Sequence, residues 1–420
     1  MSKKIFWVAV TALLVGQFPI STSHAIPAWA RRYNADCSLC HTMVPQLNTV
    51  GHKFRRLGYR MPDEFDSQQV HLSAEELTKF TNYFSARGRT RVVYSKSSGS
   101  RGRLSFSEDT QPNVTLFYAG PVTRNLSFFF EFPFEPAGEL EVGQMTFNLG
   151  KSDGFFFSRI GQFHQFSRVG FGALDRPISL SNAQVFNVMV NGFRPRLDNV
   201  GVEVGYSWGH LTGLVQVTNG IKTTGGAANE GLDPNNHKDV GVLLEYLIPH
   251  HTASVSLLYV YGQAPTPTDS EGTAVLGAGN TKYNRAYAFA DYTFESIGLR
   301  PIVGGGIGSD NQFITNIGQG TTGTAGGAAL LTAANSTSWF TFLELDQKIL
   351  DTLYASARFD YNDPTNKAEA VSSTRKTWMG SGGLVWSVQK YFRLAGEYQI
   401  SDNAARTTAH SAKAEAQINF

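Results

Sequence analysis

Val200-Gly201-Val202-Glu203-Val204-Gly205-Tyr206-Ser207-Trp208 places an apolar side chain at every second position, with glycine or a polar residue between. Successive side chains of a β-strand point to opposite faces, so this stretch is apolar on one face and polar on the other. The same period runs through Leu126, Phe128, Phe130, Phe132 and Phe134, set against Ser127, Phe129, Glu131 and Pro133. It returns in Leu353, Ala355, Ala357, Phe359 and Tyr361 against Tyr354, Ser356, Arg358 and Asp360. Phe392, Leu394, Gly396, Tyr398 and Ile400 alternate likewise with Arg393, Ala395, Glu397 and Gln399. A soluble sandwich would bury the apolar face. A transmembrane barrel turns it to lipid and keeps the polar face for the lumen. Alternation alone does not choose between them.

Three other features choose the barrel. Lys3 and Lys4, the apolar run Ile5 to Gly16 and the small residues of Ser23-His24-Ala25 read as a secretory signal peptide cleaved after Ala25, so the chain is exported. Tight connections alternate with long ones, such as 219–236, 263–281 and 308–335, rich in Gly, Thr, Ala and Asn. The chain ends in a strand, Ala412, Ala414, Ala416, Ile418 and Phe420 against Lys413, Glu415, Gln417 and Asn419, whose terminal Phe resembles the signal read by the outer-membrane insertion machinery. At roughly 20 residues per strand and connection, 89–420 supplies about 16 antiparallel strands. The expectation is an all-β transmembrane barrel in the bacterial outer membrane, bathed by its lipid, with a small N-terminal α-helical domain.

Composition excludes other classes. Of 420 residues, 41% are hydrophobic and 17% charged, which fits neither a disordered chain nor a helical membrane bundle. Lys plus Arg number 36 and Asp plus Glu 34; removing Lys3 and Lys4 makes the mature chain neutral, so nothing electrostatic points to nucleic acid. Two cysteines allow neither a disulfide scaffold nor a structural zinc site. The glycine-rich stretch 318–328 lacks the Gly-Lys-Ser/Thr of a phosphate loop and reads as an outer loop. Phe155–Pro177, with Arg159, Arg168 and Arg176, reads as strand and ordinary loop rather than an anion-attracting constriction.

The sharpest motif is Cys37-Ser38-Leu39-Cys40-His41. Two thiols spaced i, i+3 on a first helical turn can form thioethers to the vinyl groups of one haem, and the adjacent imidazole can ligate its iron. A thioredoxin-type reading needs a βαβ context that is absent, and a zinc site needs a second pair of ligands. Residues 26–72 therefore read as a monohaem cytochrome domain holding one covalently bound haem c on Cys37 and Cys40, with His41 proximal. So short a domain needs the porphyrin as a staple. The helix beginning at the motif is expected to break at Pro45, and a second to run from Gln46 to Leu57 with Gly58 as its C-cap. Met61, after the Gly58-Tyr59 turn, is the favoured distal ligand over His71 and His52; His52, next to Lys53, reads as a surface residue. Residues 73–88 read as a helical linker, with a Ser73/Glu76 capping box and Leu77, Phe80 and Phe84 on one face. The acidic clusters Asp63-Glu64 with Asp66, and Glu139 with Glu141, could bind Fe(II) through hard oxygens, but read better as solvated faces.

The chain resembles the fused monohaem cytochrome–porins of the bacterial outer membrane, which include iron oxidases. The resemblance rests on Ile26-Pro27-Ala28-Trp29-Ala30-Arg31, the Cys37–His41 motif, Pro45-Gln46-Leu47-Asn48 with Gly51, Phe54, Gly58 and Tyr59, and the order signal, haem, barrel. It implies electrons taken from an extracellular donor, typically Fe(II), and passed to periplasmic c-type cytochromes. Two further functions stay open: electron exchange with another or outward-directed partner, and a diffusion porin carrying a tethered cytochrome.

Overall fold

The computed structural model describes residues 27–43, 46–67, 79–106, 114–134, 142–166, 180–181, 198–220, 237–249, 252–264, 281–317, 330–366, 376–389, 391–402 and 408–419. The signal segment, Pro45, His71, Ser73, Glu76, Leu77, Glu139, Glu141, Arg168, Arg176, Phe420 and 318–328 lie outside them.

The described residues form a closed antiparallel barrel with a small domain at its N-terminus. Two short strands, β1 (His41–Met43) and β2 (Gln46–Leu47), pair within that domain. The barrel runs from β3 (Phe84–Ser97) through β4 (Arg103–Phe106), β5 (Val114–Pro121), β6 (Leu126–Pro133), β7 (Val142–Lys151), β8 (Gly154–His164) and β9 (Asp198–Trp208). It continues through β10 (Leu211–Thr218), β11 (Asp239–Leu247), β12 (Ala253–Ala264), β13 (Thr281–Tyr292) and β14 (Leu299–Ile317). It finishes with β15 (Leu330–Leu350), β16 (Leu353–Asn366), β17 (Thr377–Gln389), β18 (Phe392–Asp402) and β19 (Thr408–Asn419). β4 pairs with Val92–Ser95 of β3, and β5 with Phe84–Gly88 of the same strand. They are successive parts of one position, so the barrel has sixteen positions among the described residues. β19 closes it on β3, from Ala409↔Ser97 to Asn419↔Arg87.

The face test now has its answer. Val200, Val202, Val204, Tyr206 and Trp208 are 39–71% exposed on the outside, while Glu203 between them is 0% exposed. On β16, Phe359 is 52% exposed and its neighbours Arg358 and Asp360 are buried. Apolar outside and charged inside is the inverse of a soluble core. The tight turns, including β7–β8, β9–β10, β15–β16 and β17–β18, gather at the end where β3 begins and β19 finishes.

The expectations for the N-terminal region need four corrections. The Cys37–His41 motif is not on an α-helix: Cys37–Leu39 is one 3-10 turn, and His41 already belongs to β1. The following helix is Thr49–Arg56, because Gln46 and Leu47 are drawn into the strand pair and Asn48 caps the helix. The described part of the 73–88 linker is not α-helical: after a 3-10 turn at Phe80–Asn82, Phe84–Gly88 must supply the strand that β5 pairs with. The barrel thus begins ahead of residue 89. Last, His52 is 0% exposed, so it is not a surface residue.

Candidate functional site

The segment Gln46–Gly51 moulds the cysteine loop. Asn48 donates from Nδ2 to the carbonyls of Leu39 (3.0 Å) and Ser38 (3.3 Å), and its backbone N–H donates to Cys40 O (2.9 Å). Its Oδ1 accepts from Gly51 N–H (3.0 Å), the N-cap bond of the Thr49–Arg56 helix. A Cβ at Gly51 would stand 2.3 Å from Cys40 O, so only glycine lets the helix meet the loop this closely. His41 Nδ1 lies 3.2 Å from the Gln46 carbonyl. With Nδ1 as donor there, the tautomer is set and Nε2 is left as the ligating nitrogen. Burial pushes the Cys40 thiol up to about 11, with Cys37 adding to the rise. A redox-active dithiol needs the opposite shift.

The same domain carries an aromatic cluster. Trp29 stacks on Tyr59 (4.8 Å between centroids) and meets Phe54 edge-on (5.3 Å), while Tyr59 stacks on Phe129 of the barrel wall (5.2 Å). Met61 packs against this cluster. Tyr33 donates to Glu64, which also pairs with Arg32 (2.5 Å).

The described part of the domain docks on the inner wall of the barrel at the tight-turn end. Arg56 pairs with Glu245 of β11, and Arg56 Nη1 donates to Thr212 of β10 (2.8 Å). Gln46 Nε2 donates to Asp346 Oδ2 of β15 (2.6 Å), and Arg300 Nη1 of β14 donates to Gln46 Oε1 (2.5 Å). Asn148 of β7 donates to the Arg56 carbonyl (2.8 Å), and Arg60 reaches the Arg124 carbonyl in the β5–β6 turn. Asp66 takes two hydrogen bonds from Ser152 in the β7–β8 turn (2.6 and 2.7 Å). Gly58 carries φ +70°, and a Cβ there would meet Ser127 Oγ at 2.1 Å. That glycine serves both the helix end and the wall.

Inward-facing apolar side chains add a layer absent from the sequence expectation. Phe155, Phe157, Leu243, Phe289, Phe340 and Phe342 form one buried cluster with Leu57 and Phe65 of the N-terminal domain. Farther round, Leu180 packs beside Met43, Tyr354, Val385 and Ala395. Leu180 and Ser181 donate backbone N–H to Glu397 (2.9 and 3.2 Å), Ser181 O accepts from Arg358 (2.8 Å), and Lys413 holds Ser181 Oγ (3.0 Å). Leu180 and Ser181 of the β8–β9 connection therefore lie on the inner wall formed by β16, β18 and β19, beside the cluster that contains Met43. The loop part of the Phe155–Pro177 stretch lies outside the described residues. Arg159 is strand, as expected, and is neutralised by Glu203 (2.5 Å).

The candidate residues separate clearly. Cys37, Cys40 and His41 converge on one loop. Met61 lies in the aromatic cluster, whereas His52 shares a helix face with Arg56, one turn away and toward the wall. Glu64 is half-buried and pairs with Arg32 within the domain, whereas Asp63 and Asp66 are exposed, as the solvated-face reading expects, with Asp66 also bonded to a tight turn. No group of three His, Cys, Asp or Glu able to hold a metal ion occurs among the described residues. Sequence reasoning quoted Gln46 and Asn48 only for the resemblance and gave them no role, and it missed Arg56, Glu245, Arg300 and Asp346; only Asn48 carried a local signal, an N-cap residue three before Gly51.

No protein-family model and no curated protein matches the chain. Solved structures match its fold. The outer-membrane channel DcaP of Acinetobacter baumannii aligns at TM-score 0.55 with 10% identity, over 80% of this chain and 96% of its own. The anion-selective porin from Comamonas acidovorans aligns at 0.54 with 14% identity, over 80% and 98%. OmpT of Vibrio cholerae aligns at 0.52 with 10% identity, over 80% and 97%. The chain is thus a porin-like sixteen-strand β-barrel.

Haem fits the residues present. Two thiols and an imidazole with its Nδ1 already engaged lie on one loop. Trp29 Nε1 and Arg32 Nη1 are buried N–H groups with no hydrogen-bond partner among the described residues, donors of the kind that carboxylates such as propionates satisfy.

Proposed function

We propose that the protein is an outer-membrane cytochrome–porin, holding one haem c on Cys37 and Cys40 with His41 proximal and Met61 distal, that accepts electrons from extracellular Fe(II) and delivers them to a periplasmic c-type cytochrome. The observation that carries the reading is the seating of the Cys37–His41 loop inside the barrel mouth, fixed by Gln46 between Asp346 and Arg300. A haem supplies a one-electron couple where the bilayer otherwise insulates. The chain's own residues hold the loop through Asn48 and Gln46, and Trp29, Phe54 and Tyr59 supply an apolar cluster in the same domain. Met as distal ligand would raise the potential relative to two histidines.

The channel and porin named in the matched structures support a second reading, a diffusion pore with the cytochrome as its plug. An anaerobic spectral titration separates the two. Oxidised protein in detergent receives Fe(II) at neutral pH while the haem bands are followed. Prompt reduction supports the conduit. Reduction by dithionite but not by Fe(II) removes Fe(II) as donor.

A further inference from the structure

We propose that Gln46 is a positioning residue that mounts the proximal histidine on the barrel wall, so that the wall's buried charges help set the haem potential. This rests on the haem reading above. Gln46 is 0% exposed and is bonded at both ends. Its carbonyl takes His41 Nδ1 at 3.2 Å. Its side-chain amide is gripped by Asp346 on one side and Arg300 on the other. Arg300 is itself fixed by two bonds to Asp291 Oδ2 (3.0 and 2.8 Å), and Ser254 donates to the other oxygen of Asp291 (2.6 Å).

Four strands, β12 to β15, therefore converge on the residue whose carbonyl orients the ligand. Rotating Gln46 would break two charge-assisted bonds, so the carbonyl is held still. A fixed acceptor on Nδ1 makes an imidazole a stronger donor to iron, which favours the ferric state. Freeing the carbonyl weakens that bond and raises the midpoint potential. Ordinary docking contacts, such as Asp66 to Ser152, do not touch the cysteine loop and serve as the control.

The test compares full-length holoprotein carrying Gln46→Ala, Asp346→Ala or Asp66→Asn by spectroelectrochemistry, with heat-modifiable gel mobility reporting barrel folding. Pyridine haemochrome assay reports haem content. Gln46→Ala and Asp346→Ala are expected to raise the potential by ~59 mV, a tenfold change in a one-electron equilibrium constant, and the double variant no further. Asp66→Asn is expected to titrate with the wild type. If Gln46→Ala does not insert, Asp346→Ala alone carries the comparison. Potentials unchanged in folded, haem-loaded variants overturn the proposal, as does an equal shift in Asp66→Asn. Wild-type protein without covalent haem overturns the underlying reading instead, and the haemochrome assay tells the two failures apart.

Discussion

At the residue scale, the cysteine loop depends on side chains that are not cysteine. Asn48 caps a helix and holds two loop carbonyls at once. Asn48→Ala is expected to cost about 1 kcal/mol from the cap alone, and to lower the yield of covalent haem measured by peptide mass. Gly51→Ala drives a methyl into Cys40 O and is expected to lower that yield further. In protein made without haem maturation, Cys40 alkylates slowly at neutral pH and faster as pH approaches about 11. Rapid alkylation at neutral pH would contradict its burial. The motif itself was legible as a spacing of two thiols and an imidazole. Its backbone was not: five residues cannot reveal that the next strand of the same hairpin, from Gln46, pulls His41 out of a helix.

At the element scale, the strands were the legible part. Lipid contact imposes one face rule on every strand, so period two reads directly as inside and outside. What stayed hidden is the inner apolar layer. Phe155, Phe157 and Phe289 face inward, where the rule predicts polar residues, in one buried cluster with Leu57 and Phe65 of the seated domain, Phe155 meeting Phe65 directly. The helix Thr49–Arg56 is the element that locks the seat, through Arg56 and Glu245. Both partners are nearly solvent-free, so Glu245→Ala leaves an unpaired buried charge and weakens the seat by about 3–5 kcal/mol. The expected outcome is more than a hundredfold faster tryptic cleavage within 55–60, read by mass spectrometry against an intact barrel.

At the scale of the whole molecule, domain and barrel make one body. Gln46 meets Arg300 and Asp346 across 254 and 300 residues of chain, a separation at which no local pattern carries information. The described part of the N-terminal domain is seated inside the barrel mouth. The N-terminal domain occupies one mouth, and Leu180 and Ser181 are held on the inner wall at Glu397 and Arg358. Liposomes bearing the protein are expected to exclude small sugars in a swelling assay, and Glu245→Ala is expected to admit them.

The most direct measurement uses liposomes that enclose oxidised cytochrome c and carry the full-length protein. A membrane-impermeant Fe(II) chelate is added outside under anaerobic conditions, and the enclosed haem spectrum is followed. The account predicts reduction inside by the wild type and none by the Cys37→Ala/Cys40→Ala variant. Enclosed cytochrome c that stays oxidised with haem-loaded wild type, or is reduced equally by the haem-free variant, would contradict it.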